Sequence, residues 1–322
     1  MEIQDVYELI AADRQAVDGV IIKRLHSEVV LINQISHYII NSGGKRLRPV
    51  LLLLSARAFG YEGTDHHELA AVVEFIHTAT LLHDDVVDGS EMRRGKETAN
   101  NVWGNEASVL VGDFLYSRAF QMMVGVNNMQ VMQILSEATN TIAEGEVKQL
   151  LNVHNADLGE AGYLDVIRSK TAKLFESSAR LGAVLSGRSE QEQQALADYG
   201  MHLGIAFQLI DDALDYSSSS EDLGKNIGDD LAEGKPTLPL IHVINNGTPE
   251  QATLVREALE QGGLDHIDEI KSAIESVGAI AYTSRSAQAE ADKAIDALAI
   301  LEPSPYKEAL IALAHFAVQR SH

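Results

Sequence analysis

Two acidic clusters of the same form, Asp84-Asp85-Val86-Val87-Asp88 and Asp211-Asp212-Ala213-Leu214-Asp215, constrain this chain more than any other feature. In each, carboxylates stand at i and i+4, a spacing that puts them on one face of a helix about one turn apart. Each cluster follows a stretch with helical apolar periodicity and precedes a helix-ending signal: Gly89-Ser90 after the first, Ser217 to Ser220 after the second. Both therefore belong in the last turn of a helix, where the macrodipole is negative and a carboxylate is disfavoured by about 0.3–1 kcal/mol. A solvated acidic face has no reason to choose that end twice. A shared divalent cation reverses the sign of the local energy, so the expectation is a metal site assembled from two helices.

The rest of the composition narrows the class. Only 6 prolines, with 45% hydrophobic residues rich in Ala, Leu, Ile and Val, favour an all-α protein. With no cysteine there are no disulfides, thiolate nucleophiles or Cys-based zinc sites. A net charge of −22 argues against a nucleic-acid binder, which needs a basic face. Met1-Glu2-Ile3-Gln4-Asp5 lacks the basic and apolar regions of a signal peptide, and apolar runs such as Val50 to Leu54 are too short to span a bilayer. A soluble, cytoplasmic protein is expected.

Apolar periodicity predicts helices over residues 69–81 (running into the first cluster), 108–123, 131–151, 163–182 and 195–216, the last carrying the second cluster. No stretch alternates with period two for long enough to insist on a strand. Breaks fall at Asn41-Ser42-Gly43-Gly44, Gly60 to Gly63, Gly89 to Gly95, Asn127-Asn128, Asp157 to Gly162, Ser217 to Gly234 and Asn245-Asn246-Gly247. None resembles an interdomain linker, and two clusters that share metal must face one another. Residues 1–322 therefore read as a single helical domain. The amphipathic region after Pro249 shows no chemistry of its own.

Cations gather at the same element ends: Lys45, Arg46 and Arg48 after Gly43-Gly44; Arg93-Arg94 just past Asp88; Lys170-Thr171 and Lys173; Lys225; and Lys235 after Gly234. Taken singly, each reads as a solvated surface charge. Together they suit diphosphate oxygens, with Mg²⁺ bridging such oxygens to carboxylates. Two basic groupings beside acidic metal clusters imply two diphosphates, one on metal and one on Arg and Lys alone. His77 is either a packed helical histidine or a diphosphate donor, and His83 reads as a satisfied helical histidine; hard Mg²⁺ prefers oxygen to both. A calcium loop starting at Asp84 fails, because Val86 stands at its third position and Gly95 where a bidentate Glu belongs.

Six ordered motifs now carry a resemblance. Gly43-Gly44-Lys45-Arg46-Leu47-Arg48-Pro49, His83-Asp84-Asp85-Val86-Val87-Asp88 and Met92-Arg93-Arg94-Gly95 resemble those of the trans-polyprenyl diphosphate synthases. So do Ser169-Lys170-Thr171-Ala172, Phe207-Gln208-Leu209-Ile210-Asp211-Asp212, and Gly228-Asp229-Asp230-Leu231 with Glu233-Gly234-Lys235-Pro236-Thr237. The resemblance implies an all-helical isoprenoid-synthase bundle around a central cavity, working as a homodimer with Mg²⁺. It implies Asp84, Asp88 and Asp211 as metal ligands, supported by Asp85, Asp212 and Asp215. Lys45, Arg48, His77 and Arg94 are implied as the isopentenyl diphosphate site. Arg93, Lys170, Thr171, Gln208, Lys225 and Lys235 are implied as contacts to an allylic (farnesyl) diphosphate. Ser217 to Gly234 is the expected lid.

The implied reaction is repeated condensation, and the overall resemblance implies an octaprenyl product for a quinone side chain. Nonaprenyl and heptaprenyl synthesis, or a large subunit needing a partner, are the alternatives. Chain length is expected to depend on a tunnel running back along the Asp84 helix. Side chains one turn before the aspartates are Ala79 and Thr80. Short-chain relatives plug this region with a bulky aromatic, so small Ala79 implies a long product. Ile76 or residues on neighbouring helices, Met123 first and then Leu135, are the expected floor. A non-catalytic partner subunit fits poorly, since both acidic clusters are kept. A metal-buffer protein does not need the basic motifs, and a terpene cyclase does not need a second diphosphate site.

Overall fold

The computed structural model describes residues 1–217 and 228–320. In chain order the elements are α1 (Ile3–Leu9), α2 (Ala11–Leu25), α3 (Val30–Ile40), α4 (Leu47–Ala58), α5 (Asp65–Val87), β1 (Met92–Arg93), β2 (Lys96–Glu97), α6 (Ala99–Trp103), α7 (Asn105–Val126) and α8 (Met129–Asn152). There follow α9 (Glu160–Ile167), a π turn (Arg168–Ala172), α10 (Lys173–Leu185), α11 (Glu190–Ser217), α12 (Asp229–Ala232), α13 (Leu238–Asn246), α14 (Pro249–Gln261), α15 (Ile267–Ser276), α16 (Ala279–Ala297) and α17 (Pro305–Gln319). The all-α expectation holds. No helix among the described residues is long and apolar enough to cross a membrane.

Two compact units divide the chain. The first contains Met1–Thr139, Leu174–Gly200 and Ala297–Leu313. Its axis is α5, which packs against α2, α4, α6 and α7. Leu69 to Val73, Phe75, Ile76, Ala79 and Leu82 are all fully buried on α5, and Val50 to Leu54 are buried on α4. Helices apolar around much of their circumference belong inside. α7 runs antiparallel to α5. At one end Ser108 Oγ donates to Leu82 O at 2.9 Å; at the other, Gly125 and Val126 border the same cavity as Thr64 and Asp65. Gly112 permits this approach, since a Cβ there would stand 2.3 Å from the His83 ring.

One short sheet departs from the strandless expectation. Met92 pairs with Glu97 and Arg93 with Lys96. Arg94 and Gly95 form the turn with φ of 53° and 72°, the paired left-handed conformation of a tight two-residue hairpin. Two residues per strand are too few to write a period-two pattern.

The second unit contains Asn140–Lys173, Met201–Asp296 and Ala314–His322. One apolar cluster joins Tyr163, Ile167, Ala172, Leu209, Leu238 and Ile241; another joins Tyr216, Leu231, Leu240, Val243, Val255 and Ile270. The helix expected over 163–182 is broken by the π turn at Arg168–Ala172. Gly145 of α8 lies flush against that turn: a Cβ on it would fall 2.7 Å from Lys170 N and 2.9 Å from Ser169 Cβ.

Candidate active site

In the first unit, the sequence puts the first aspartate cluster where expected, in the last turn of α5. Asp88 caps the helix, its N–H donating to Asp84 O at 2.8 Å. Gly89 then leaves the helix with φ 65°, the left-handed stop that glycine adopts without strain. Asp84 and Asp88 are half-exposed, whereas Asp85 is fully buried. Arg93, carried by the hairpin, sets Nε and Nη2 at 2.8 and 2.6 Å from Asp85 Oδ1. Asp85 Oδ2 is buried with no hydrogen-bond partner among the described residues.

The same unit also brings in Lys45, Arg46, Arg48 and Arg94. Gly43 and Gly44 have φ of 89° and 136°, and Arg46 caps α4 in the left-handed region. Arg46 pairs with Asp18 and lies 3.9 Å from Glu74, so its role is to brace the loop. Burial raises the Glu74 carboxyl, while Arg46, Arg48 and Arg94 pull it back. Arg94 donates to Gly43 O and lies across Gly44, where a Cβ would stand 2.5 Å from its guanidinium. Glycine at 44 therefore makes room for Arg94. Arg48 sits in the first turn of α4, 4.4 Å above the Phe175 ring, with Nη1 at 3.2 Å from His77 Nε2. Helix N-termini favour anions, so an anion held by Arg48 would also gain from the positive end of α4.

His77 is driven well below the ordinary imidazole value, by burial first and then by Arg48, Arg94 and Arg93. A neutral ring accepts from Arg48 through Nε2 and keeps its other nitrogen as a donor. His77 and Asp84 are seven residues apart on α5, hence on one face and roughly 10 Å apart along it. Lys45 is exposed in the loop, its carbonyl held by Tyr7 OH at 3.1 Å. His83 proves the packed histidine expected, 3.2 Å from Val109 O.

In the second unit, Thr171 Oγ1 lies 3.2 Å from Gln208 Oε1, and Gln208 Nε2 lies 2.7 Å from Asp212 Oδ1. Tyr163 OH donates to the other oxygen of Asp212. With both oxygens engaged, Asp212 is an internal brace, and half-exposed Asp211 is the carboxylate of the pair turned toward solvent. Burial, then Asp230, pushes Asp212 well above the ordinary carboxylate range and Asp215 up to about 8. Lys170 Nζ is 2.6 Å from Glu146 Oε2 and also reaches Gln149. Lys235 Nζ is 2.5 Å from Glu233. Residues 218–227 of the expected lid, Lys225 among them, lie outside the described residues.

Arg320 was invisible to motif reading. Its guanidinium is 2.9 Å from Asp211 Oδ1, 3.7 Å above the Phe207 ring, and its side chain is almost wholly buried. The region after Pro249 thus supplies a site contact after all. Tyr163, Glu146 and Gln149 were missed likewise, because each acts through a partner distant in sequence. Of the positions expected to set chain length, Ala79 and Met123 are fully buried and Thr80 donates to His77 O at 2.8 Å.

These residues fit a divalent cation on two grounds. The buried Asp85 Oδ2 lacks a donor among the described residues, and the carboxyls of Asp212 and Asp215 are raised by burial and like charge, as expected where positive charge is missing.

An acidic cluster at the end of α5 and, two turns earlier on the same helix, His77 in contact with Arg48 of α4 mark a candidate site for anionic, metal-bridged substrates. The sequence signature of the Polyprenyl synthetase family matches residues 29–277, and the chain belongs to that family. It is 55% identical over 321 residues to octaprenyl diphosphate synthase of Escherichia coli (strain K12), covering 99% of both chains. It is 44% identical over 318 residues to all-trans-nonaprenyl-diphosphate synthase (geranyl-diphosphate specific) of Rhodobacter capsulatus, covering 98% of both. The polyprenyl synthase of Caulobacter crescentus CB15, solved with calcium and isoprenyl diphosphate, superposes with TM-score 0.96 at 45% identity, over 100% of this chain and 98% of that one. The fold is the all-α isoprenoid-synthase fold of such neighbours.

Proposed function

We propose that the chain is a long-chain trans-polyprenyl diphosphate synthase that adds isopentenyl diphosphate repeatedly to farnesyl diphosphate and releases an octaprenyl product for a quinone. The observation that carries this reading is the pairing on α5 of a basic cradle at His77 with the aspartate cluster two turns on. Near-full-length identity of 55% to an octaprenyl synthase favours that product over the nonaprenyl one.

Asp84, Asp88 and Asp211 would hold Mg²⁺, which when bound neutralises charge on a departing diphosphate. Arg93 fixes Asp85 and so the end of α5. Lys170, positioned by Glu146 and Gln149, and Lys235 with Lys225 would bind the allylic diphosphate. The allylic C–O bond breaks with its electron pair leaving on diphosphate, and the cation is met by the double bond of isopentenyl diphosphate. A new C–C bond forms, and the proton lost goes to the released diphosphate, since no side chain stands out as a general base. Thr171 and Gln208 would face the cation with oxygen dipoles. Lys45, Arg48, His77 and Arg94 would hold the second substrate without metal.

We infer further that residues 1–322 act as one catalytic domain, because the chemistry needs both aspartate clusters. The net charge of −22 favours solubility, in keeping with the cytoplasmic enzyme we infer. The implied homodimer would cover exposed apolar side chains such as Leu110 and Val124 on α7, 66% and 64% exposed.

The division of labour is testable by steady-state kinetics. Arg48→Ala should raise KM for isopentenyl diphosphate on the order of 10-fold or more with little change for farnesyl diphosphate. Lys170→Ala should do the reverse and lower kcat. Equal effects on both substrates from each variant would contradict the assignment.

A further inference from the structure

A second group of ligating side chains lies at the opposite end of α5 from the aspartates. His66 is 18 residues before Asp84, roughly 27 Å along the helix axis. Asp13 of α2 reaches it, and three nitrogens converge on one of its oxygens. Oδ1 is 2.6 Å from Arg57 Nη2, 2.7 Å from His67 Nε2 and 3.2 Å from His66 Nε2.

That convergence is not what a helix produces by itself. Neighbouring helical residues point about 100° apart, yet the His66 and His67 rings approach to 3.9 Å between centroids and turn their Nε2 atoms to the same oxygen. A carboxylate oxygen has lone pairs for two good donors, and here there are three. Arg57 alone satisfies the ion pair, since Nε also engages Oδ2 at 2.8 Å. His66 is wholly buried, and its Nδ1 has no partner among the described residues. As a purely structural salt bridge, the cluster holds one histidine too many.

We propose that Asp13, His66 and His67 form a transition-metal site for a zinc-class cation that ties α2 to the start of α5, separate from the prenyl-transfer site. Ligands about 2.0–2.1 Å from a tetrahedral ion stand about 3.3 Å apart. The 3.2 Å between His66 Nε2 and Asp13 Oδ1 already matches, His67 Nε2 must draw back from Oδ1 by about 0.6 Å, and all three ligand atoms already lie within 4.8 Å of one another. Two imidazoles and one carboxylate suit zinc, whereas hard Mg²⁺ prefers oxygen alone. Arg57 is the outer partner that fixes the carboxylate. Access lies on the side of His67, which borders a cavity of about 320 Å³ shared with Asp65 and Glu68. Asp65 offsets part of the added positive charge, Glu68 being already paired with Arg24 of the same cavity, and a water there would complete the coordination.

The test uses the full chain stripped by a chelator and titrated with Co²⁺ as a coloured stand-in for Zn²⁺. One equivalent should give the intense visible bands of a four-coordinate ion with nitrogen ligands, displaced by Zn²⁺, and the ring ¹⁵N signals of His66 and His67 should shift together. His67→Gln should weaken this binding on the order of 100-fold and leave Mg²⁺-dependent condensation unchanged. Asp84→Asn should leave the bands intact. Weak, six-coordinate spectra that are the same in wild type and His67→Gln, with unmoved ¹⁵N signals, would overturn the proposal.

Discussion

Arg93 sets two of its nitrogens on one oxygen of Asp85 and leaves the other oxygen, buried, without a donor among the described residues. A hairpin of two residues per strand thereby neutralises half of a carboxylate at the negative end of α5. The other half is left for whatever binds Asp84 and Asp88. The arrangement ties the basic motif to the acidic one mechanically, not only by proximity in sequence.

Removing the guanidinium strands a buried charge. Arg93→Ala should cost about 3–5 kcal/mol, read as a lower urea midpoint, with activity lost as well. A change within about 0.5 kcal/mol would show that Asp85 does not depend on Arg93.

The Asp215 carboxyl, raised to about 8 by burial and then Asp230, makes stability depend on pH. Between its unfolded value near 4 and its folded value the folded chain binds the extra proton, so metal-free stability falls as pH rises through that window. A divalent cation replaces that proton. The increase in Tm on adding Mg²⁺ should therefore grow from about pH 5 to about pH 8, and Asp215→Asn should flatten the trend. An increment independent of pH would contradict this.

Gly145 lets α8 lie against the π turn that presents Lys170 and Thr171. Gly145→Ala puts a methyl 2.7 Å from Lys170 N, and backbone must move. A shift of about 1 Å in catalytic groups costs on the order of 100-fold in kcat. KM for isopentenyl diphosphate should stay, because Arg48 and His77 are untouched. A wild-type kcat would remove any catalytic need for the close approach.

Ala79 is fully buried one turn before the aspartates. Ala79→Tyr should shorten the product sharply, at an overpacking cost of about 1–3 kcal/mol. Met123 lies 11 residues along α7 from Gly112, whose level is that of His83, hence roughly 16 Å away. Enlarging Met123 should trim the product less. Unchanged product lengths, measured by mass spectrometry in folded variants, would place the growing chain elsewhere.

Much of the local structure around the candidate site could be read in advance because its parts are local patterns. The aspartates repeat at helical spacing, the cations follow glycines, and α5, α7, α8 and α11 carry unbroken apolar periodicity. What escaped is non-local or too short to repeat. The hairpin at Met92 to Glu97 has no period to detect, and a π turn shifts the helical register by one residue without breaking the apolar sequence. Arg320 finds Asp211, and Asp13 finds His66 and His67, across separations that leave no mark in any window of the chain.

The most direct test is one incubation of the purified chain with Mg²⁺, farnesyl diphosphate and labelled isopentenyl diphosphate, the products dephosphorylated and sized by mass spectrometry. The account predicts a ladder of prenyl alcohols ending at the octaprenyl species. No elongation, with both diphosphates still bound, would contradict a self-sufficient synthase, and a ladder stopping elsewhere would contradict the octaprenyl product.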